Sequence, residues 1–160
     1  MKANIRKMPR RADRHRGIAL VEFAVTMPLV LFMLFSTAEI GRALYQYSAL
    51  TKAVRDGARY LADRAADASG VVVVSTAMRD NTRNITVFGN TAGTGTAVLP
   101  GFVATNVTAA REGTTDYVRV TATYTFQPLF VAIPKFGTGG GGTIQNFTTL
   151  TATAVQRNLR

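Results

Sequence analysis

GIALVEFAVTMPLVLFMLFSTA, residues 17–38, decides the reading of this chain. From Ile18 to Ala38 the only charge is Glu22, and about 20 apolar residues is what an α-helix needs to cross a hydrocarbon core of roughly 30 Å. We read Ile18–Ala38 as a single membrane span. It separates a basic stub, residues 1–17, from an amphipathic continuation of the helix, residues 39–67, and a small domain, residues 68–160.

On the N-terminal side, Lys2, Arg6, Lys7, Arg10, Arg11, Arg14 and Arg16 stand against Asp13 alone, so most of the formal net charge of +10 lies in the stub. Lys and Arg abutting a span resist translocation, which predicts a cytoplasmic N-terminus and a body on the far side of the membrane. Nucleic acid is not expected as a partner, because no base-reading fold or aromatic-interleaved basic face appears elsewhere. The apolar run exceeds the usual 7–15 residues of a secretory signal. Before Glu39 it offers only Ser36-Thr37-Ala38 as a weak cleavage site.

Glu22 is the costly residue. A carboxylate at the centre of a span costs on the order of 2.5 kcal/mol, and less near an end. Two readings are open: the side chain reaches the headgroups, or it pairs with a cation. Cleavage after Gly17 would create such a cation, the α-amino group of Ile18, one helical turn away or offered by a neighbouring chain.

On the C-terminal side, Pro28 predicts a kink near Ala24–Pro28, since its ring crowds the preceding turn and it donates no hydrogen bond. From Glu39 the pattern turns amphipathic. Ile40, Ala43, Tyr47, Leu50, Val54, Gly57 and Leu61 recur at three- and four-residue spacing, with Arg42, Lys52, Arg55, Arg59 and Arg64 off that seam. Nothing stops the helix before about Ala66, although Gly41 and Gly57 each weaken it by about 1 kcal/mol relative to alanine. The distal half of the seam is expected to pack on the protein's own sheet. The membrane-proximal half, Ile18 to about Leu50, needs lipid or other helices.

In the body, Val71–Val74 reads as a strand or as the start of a helix through Ser75–Thr82, and periodicity does not arbitrate. Asn84–Phe88 is a strand candidate. Residues 89–116 read as irregular, with a turn at Pro100-Gly101. The clearest strand is Tyr117–Phe126, where Val118, Val120, Ala122, Tyr124 and Phe126 alternate with polar neighbours. An apolar loop follows from Gln127 to Pro134, then the glycine run Gly137–Gly142, which lacks the Lys-Ser/Thr of a phosphate loop. Phe147–Gln156 reads as a last strand, antiparallel to Tyr117–Phe126, and its two-sided small and apolar character suggests an inner place in the sheet. The fold class is therefore α+β: a long N-terminal helix packed on a small, mainly antiparallel β-sheet.

Gly17-Ile-Ala-Leu-Val-Glu22-Phe23, behind a basic leader and ahead of an apolar helix, resembles the class III signal of type IV pilin-like proteins. More narrowly, residues 17–63 resemble the TadE-like family of the tight-adherence pilus system, in which an apolar span with an internal proline runs into E-x-G-R-A, a tyrosine-bearing segment and an R-x-G-A-R-Y box. Here those are Pro28, then Glu39, Gly41 and Arg42, then Tyr45 and Tyr47, then Arg55, Gly57, Arg59 and Tyr60. The resemblance implies cleavage between Gly17 and Ile18 by a prepilin peptidase and a role for Glu22 and Phe23 in assembly. It also implies residence in a bacterial inner membrane with a periplasmic domain, and inner-membrane lipid, other pilin-like subunits and a pilus assembly platform as partners. The implied function is that of a minor pilin or pseudopilin of an adhesion pilus used in surface attachment and biofilm formation. The alternative is an uncleaved, single-span envelope protein that scaffolds secretion machinery.

No enzyme is expected. The chain has no cysteine, its one histidine, His15, lies in the leader, and acid pairs such as Glu112 and Asp116 fall in a polar loop. No cofactor or metal is implied. Asp63 and Asp67, one turn apart, read as a solvated helix face beside Arg59 and Arg64.

Overall fold

The structure is a computed structural model that describes residues 12–66, 71–113, 116–129 and 149–158. The leader before Ala12, Asp67, the segment from Phe130 to Pro134, the glycine run and Phe147 lie outside the described residues. The described elements are helix α1 (Ala12–Arg64), helix α2 (Thr76–Phe88), a 3₁₀ turn (Ala104–Asn106) and strands β1 (Val107–Arg111), β2 (Tyr117–Thr125) and β3 (Thr149–Arg157). They divide into two compact units, Met1–Ala38 and Glu39–Arg160.

In the first unit, α1 carries the apolar stretch with its side chains uncovered. Ile18, Phe23, Leu29 and Met33 are each more than 60 % exposed. Thr26 and Thr37 donate their hydroxyls to the carbonyls of Glu22 and Met33, both at 2.9 Å, so neither needs water to satisfy its proton. Pro28 lies inside the helix, which is assigned without interruption across it.

In the second unit, residues 39–64 of α1 pack on an antiparallel sheet of order β1-β2-β3. The alternation foreseen for β2 is observed: Val118, Val120, Ala122 and Tyr124 are buried and the residues between them are not. They join Leu50, Val54, Ala58, Leu61, Leu99, Phe102, Val107 and Ala152 in one core. Asn158 fastens the end of β3 to the end of α1. Its buried amide donates to the carbonyl of Ala62 at 2.6 Å, where the helix has run out of partners, and its own N–H reaches Asp116.

Three expectations need correction. Asn84–Phe88 is the last part of α2, not a strand, and the Val71–Val74 run is neither strand nor helix beyond a single bridge from Val72 to Ala66. The β-branched composition of Ile85-Thr86-Val87 is overridden by two end signals. Ser75 accepts the N–H of Met78 as N-cap, and Gly89 takes φ 74° as a left-handed stop whose N–H bonds Ile85. Second, among the described residues β3 lies at the edge of the sheet and β2 is central. The small residues Ala152 and Ala154 face the core, while the other face, Thr149, Thr151, Thr153, Val155 and Arg157, is exposed. Third, β1 arises within the segment read as irregular, and it pairs with β2 from Val107–Ala122 to Arg111–Val118. The turn at Pro100-Gly101 is as foreseen: Phe102 N–H bonds Leu99 O at 3.1 Å and Gly101 has φ 74°, the disposition of a type II turn.

Candidate functional site

The distal half of the α1 seam packs as expected, with Leu50, Val54, Gly57 and Leu61 buried, and in the membrane-proximal half Ile40 is 62 % and Tyr47 44 % exposed. The buried stripe is wider than the sequence pattern, since Ala53 and Ala58 join it, and it begins at Gln46 rather than Tyr47. The exposed Ile40, Leu44, Tyr45 and Tyr47 thus carry apolar and aromatic surface into the part of α1 beyond residue 38.

Glu39 and Arg42, one helical turn apart, form an ion pair at 2.9 Å. Both also grip the chain leaving β2: Glu39 Oε1 accepts the N–H of Leu129 at 3.0 Å, and Arg42 donates to the carbonyl of Gln127. The Arg42 guanidinium lies 4.7 Å above the Phe126 ring, a cation–π contact. Arg42 was placed off the packed face by its charge; the structure half-buries it, because Phe126 supplies an aromatic floor and Glu39 the counter-charge. The sequence signal for this cluster was an acid and an arginine at i, i+3 directly after the span.

The second motif faces α2. A Cβ on Gly57 would collide with Thr86 Oγ1 and lie 3.5 Å from the Cγ2 and O of Thr82, so glycine is what lets the two helices approach. Thr82 and Thr86 are fully buried, and their hydroxyls are satisfied by Met78 O and Thr82 O at 2.7 and 2.8 Å. Tyr60 OH accepts from Asn81 at 3.3 Å and its ring carries the Arg64 guanidinium at 5.0 Å. Arg55 and Arg59 point to solvent; Tyr47, Ser48, Thr51, Lys52, Arg55 and Asp56 line an open depression on that side of α1. The R-x-G-A-R-Y box therefore does two things: Gly57 and Tyr60 seat α1 on α2 while Ala58 joins the core, and the arginines remain outside.

Electrostatics elsewhere is modest. Arg119 holds the Glu112 carboxyl below its usual range through a bidentate hydrogen bond, and Glu112 in turn raises the Arg119 guanidinium. Burial raises the Tyr124 phenol, partly opposed by the charge of Arg42, while its hydroxyl donates to Pro100 O at 3.0 Å. Among the described residues no group of His, Asp or Glu is placed to hold a metal ion.

Around the first motif, Gly17 has open space about it within α1, and Ile18, Glu22 and Phe23 are exposed on the same helix. Within Gly17–Arg64 lies a window of mean hydropathy 2.3, none of it buried, so α1 is long and apolar enough to cross a membrane. An uncovered apolar helix joined to a small α+β unit is the class of protein defined here. Residues 17–59 match the family model described as TadE-like protein, so this segment is similar to that family. No curated protein and no solved structure matches the chain.

Proposed function

We propose that this protein is a minor pilin or pseudopilin associated with a tight-adherence type pilus. The observation that carries the reading is the apolar, uncovered stretch of α1 that begins with the Gly17–Glu22 pattern inside the segment matched by the TadE-like model. In a membrane that surface is covered by lipid, and on assembly by the helices of other pilin-like subunits. The precursor inserts with its basic stub in the cytoplasm, a prepilin peptidase cuts after Gly17, and Ile18 becomes the mature N-terminus. Its α-amino group then pairs with Glu22, in the same chain or the next, and the partner charge offsets the cost of a carboxylate in hydrocarbon. The pilus serves surface attachment and biofilm formation.

A second reading rests on one feature of α1. The helix starts at Ala12 and runs through Gly17–Ile18 without a break, and a peptide bond inside a helix must unwind before a peptidase reaches it. Left uncut, the protein is a single-span scaffold for secretion machinery. Glu22→Ala separates the two. The pilin reading expects loss of piliation and of surface attachment with normal membrane levels of the protein; normal piliation in that variant counts against it.

A further inference from the structure

β3 offers an edge with few of the devices that keep strands apart. Its nine residues, Thr149–Arg157, pair without a bulge to β2 on one side. Among the described residues no strand lies along the other side. It contains no proline, and its only charge, Arg157, is at the very end. The opposite edge of the sheet is guarded: β1 is five residues long, α2 packs beside it, and Arg83 Nε donates to the Val107 carbonyl at 3.1 Å. Bare, uncharged edges of this kind pair with further strands.

The sequence of β3 also says which strand fits. Read outward from Thr153, Ala152 and Ala154 are identical, and Thr151 and Val155 are isosteric and both β-branched. A strand with this symmetry is complementary to itself in the antiparallel sense, which is the requirement for an isologous two-fold contact. Full overlap places Thr153 opposite Thr153 of the second copy, Ala152 opposite Ala154, Thr151 opposite Val155, and Arg157 opposite Thr149. No like charges face each other. A parallel arrangement would bring the two Arg157 side chains together.

We propose that the outer edge of β3 is a self-association edge, along which a second copy of this chain adds its own β3 antiparallel about Thr153 to make a continuous six-stranded sheet. This goes beyond the pilin reading and does not depend on processing at Gly17.

The absence of native cysteine makes the test clean. Directly opposed residues of an antiparallel pair have Cα atoms within the range a disulfide spans. Full-length Thr153→Cys in native membranes, treated with a mild oxidant, is expected to give a disulfide-linked homodimer. Thr151→Cys alone and Thr123→Cys, on the same exposed face of β2, are expected to stay single. The double variant Thr151→Cys/Val155→Cys should cross-link again. Adding Thr153→Lys to that double variant should lower its yield roughly tenfold, since like charges directly opposite destabilise a strand pair. Three results would overturn the proposal: Thr153→Cys remaining single, cross-linking no better than Thr123→Cys, or joining a different protein.

Discussion

At the scale of single residues, Gly57 shows how a motif position acts through packing. Its missing Cβ is the space occupied by Thr86 Oγ1. Gly57→Ala is expected to destabilise the domain by about 1–3 kcal/mol, the usual cost of overpacking a tight contact. Removing the hydroxyl and methyl opposite, in Gly57→Ala/Thr86→Ala, should recover part of that loss. Thermal unfolding of the detergent-extracted full chain reads both; a double variant less stable than the sum of the singles would contradict the contact. In the sequence Gly57 was legible as a position on the apolar seam and in the R-x-G-A-R-Y box. That it packs on α2 of the same chain was not, because Thr86 lies in Asn84–Phe88, which reads as a strand until Ser75 and Gly89 are seen to cap one helix across it. Arg42 was misplaced for a similar reason. Its charge argues for solvent, whereas Phe126 and Glu39 together make a half-buried site for it.

At the scale of elements, local propensity failed where capping and tertiary packing outweighed it. Residues Ile85-Thr86-Val87-Phe88 are rich in strand formers, yet α2 holds them, with Val87 fully buried and the helix stopped by Gly89. The left-handed φ of 74° at Gly89 is unfavourable for a residue with a Cβ. Gly89→Ala should therefore cost about 1 kcal/mol, and Ser75→Ala a similar amount through the lost cap. Chemical denaturation of each variant checks these values, and an unchanged midpoint in both would mean that the caps do not hold α2. The alternation in β2 was legible in full, since a half-buried strand writes its two faces directly into the sequence. The place of β3 was not. Alanine on the inner face and threonine on the outer look alike on both sides, and nothing in such a pattern separates an edge from a centre.

At the scale of the whole molecule, hydropathy changes abruptly at Ala38–Glu39, where the sequence ends the expected span; the described units are Met1–Ala38 and Glu39–Arg160. The membrane-proximal surface of α1 was expected to lack cover from the small domain, and Ile40, Leu44 and Tyr47 are indeed exposed. The point at which the domain begins to cover the helix, near Gln46 and Leu50, falls close to the division at about Leu50 read from the sequence. It depends on where β2 ends and on the grip of Glu39 and Arg42 on residues 127–129. The central claim is that the uncovered helix belongs to a pilin-like subunit whose mature chain starts at Ile18. The most direct test is the intact mass and N-terminal sequence of the protein extracted from its host membrane, with and without the prepilin peptidase. A chain that begins at Ile18 only when the peptidase is present is the predicted result. A chain that begins at Met1 in both cases would contradict it and leave the uncleaved membrane scaffold as the better description.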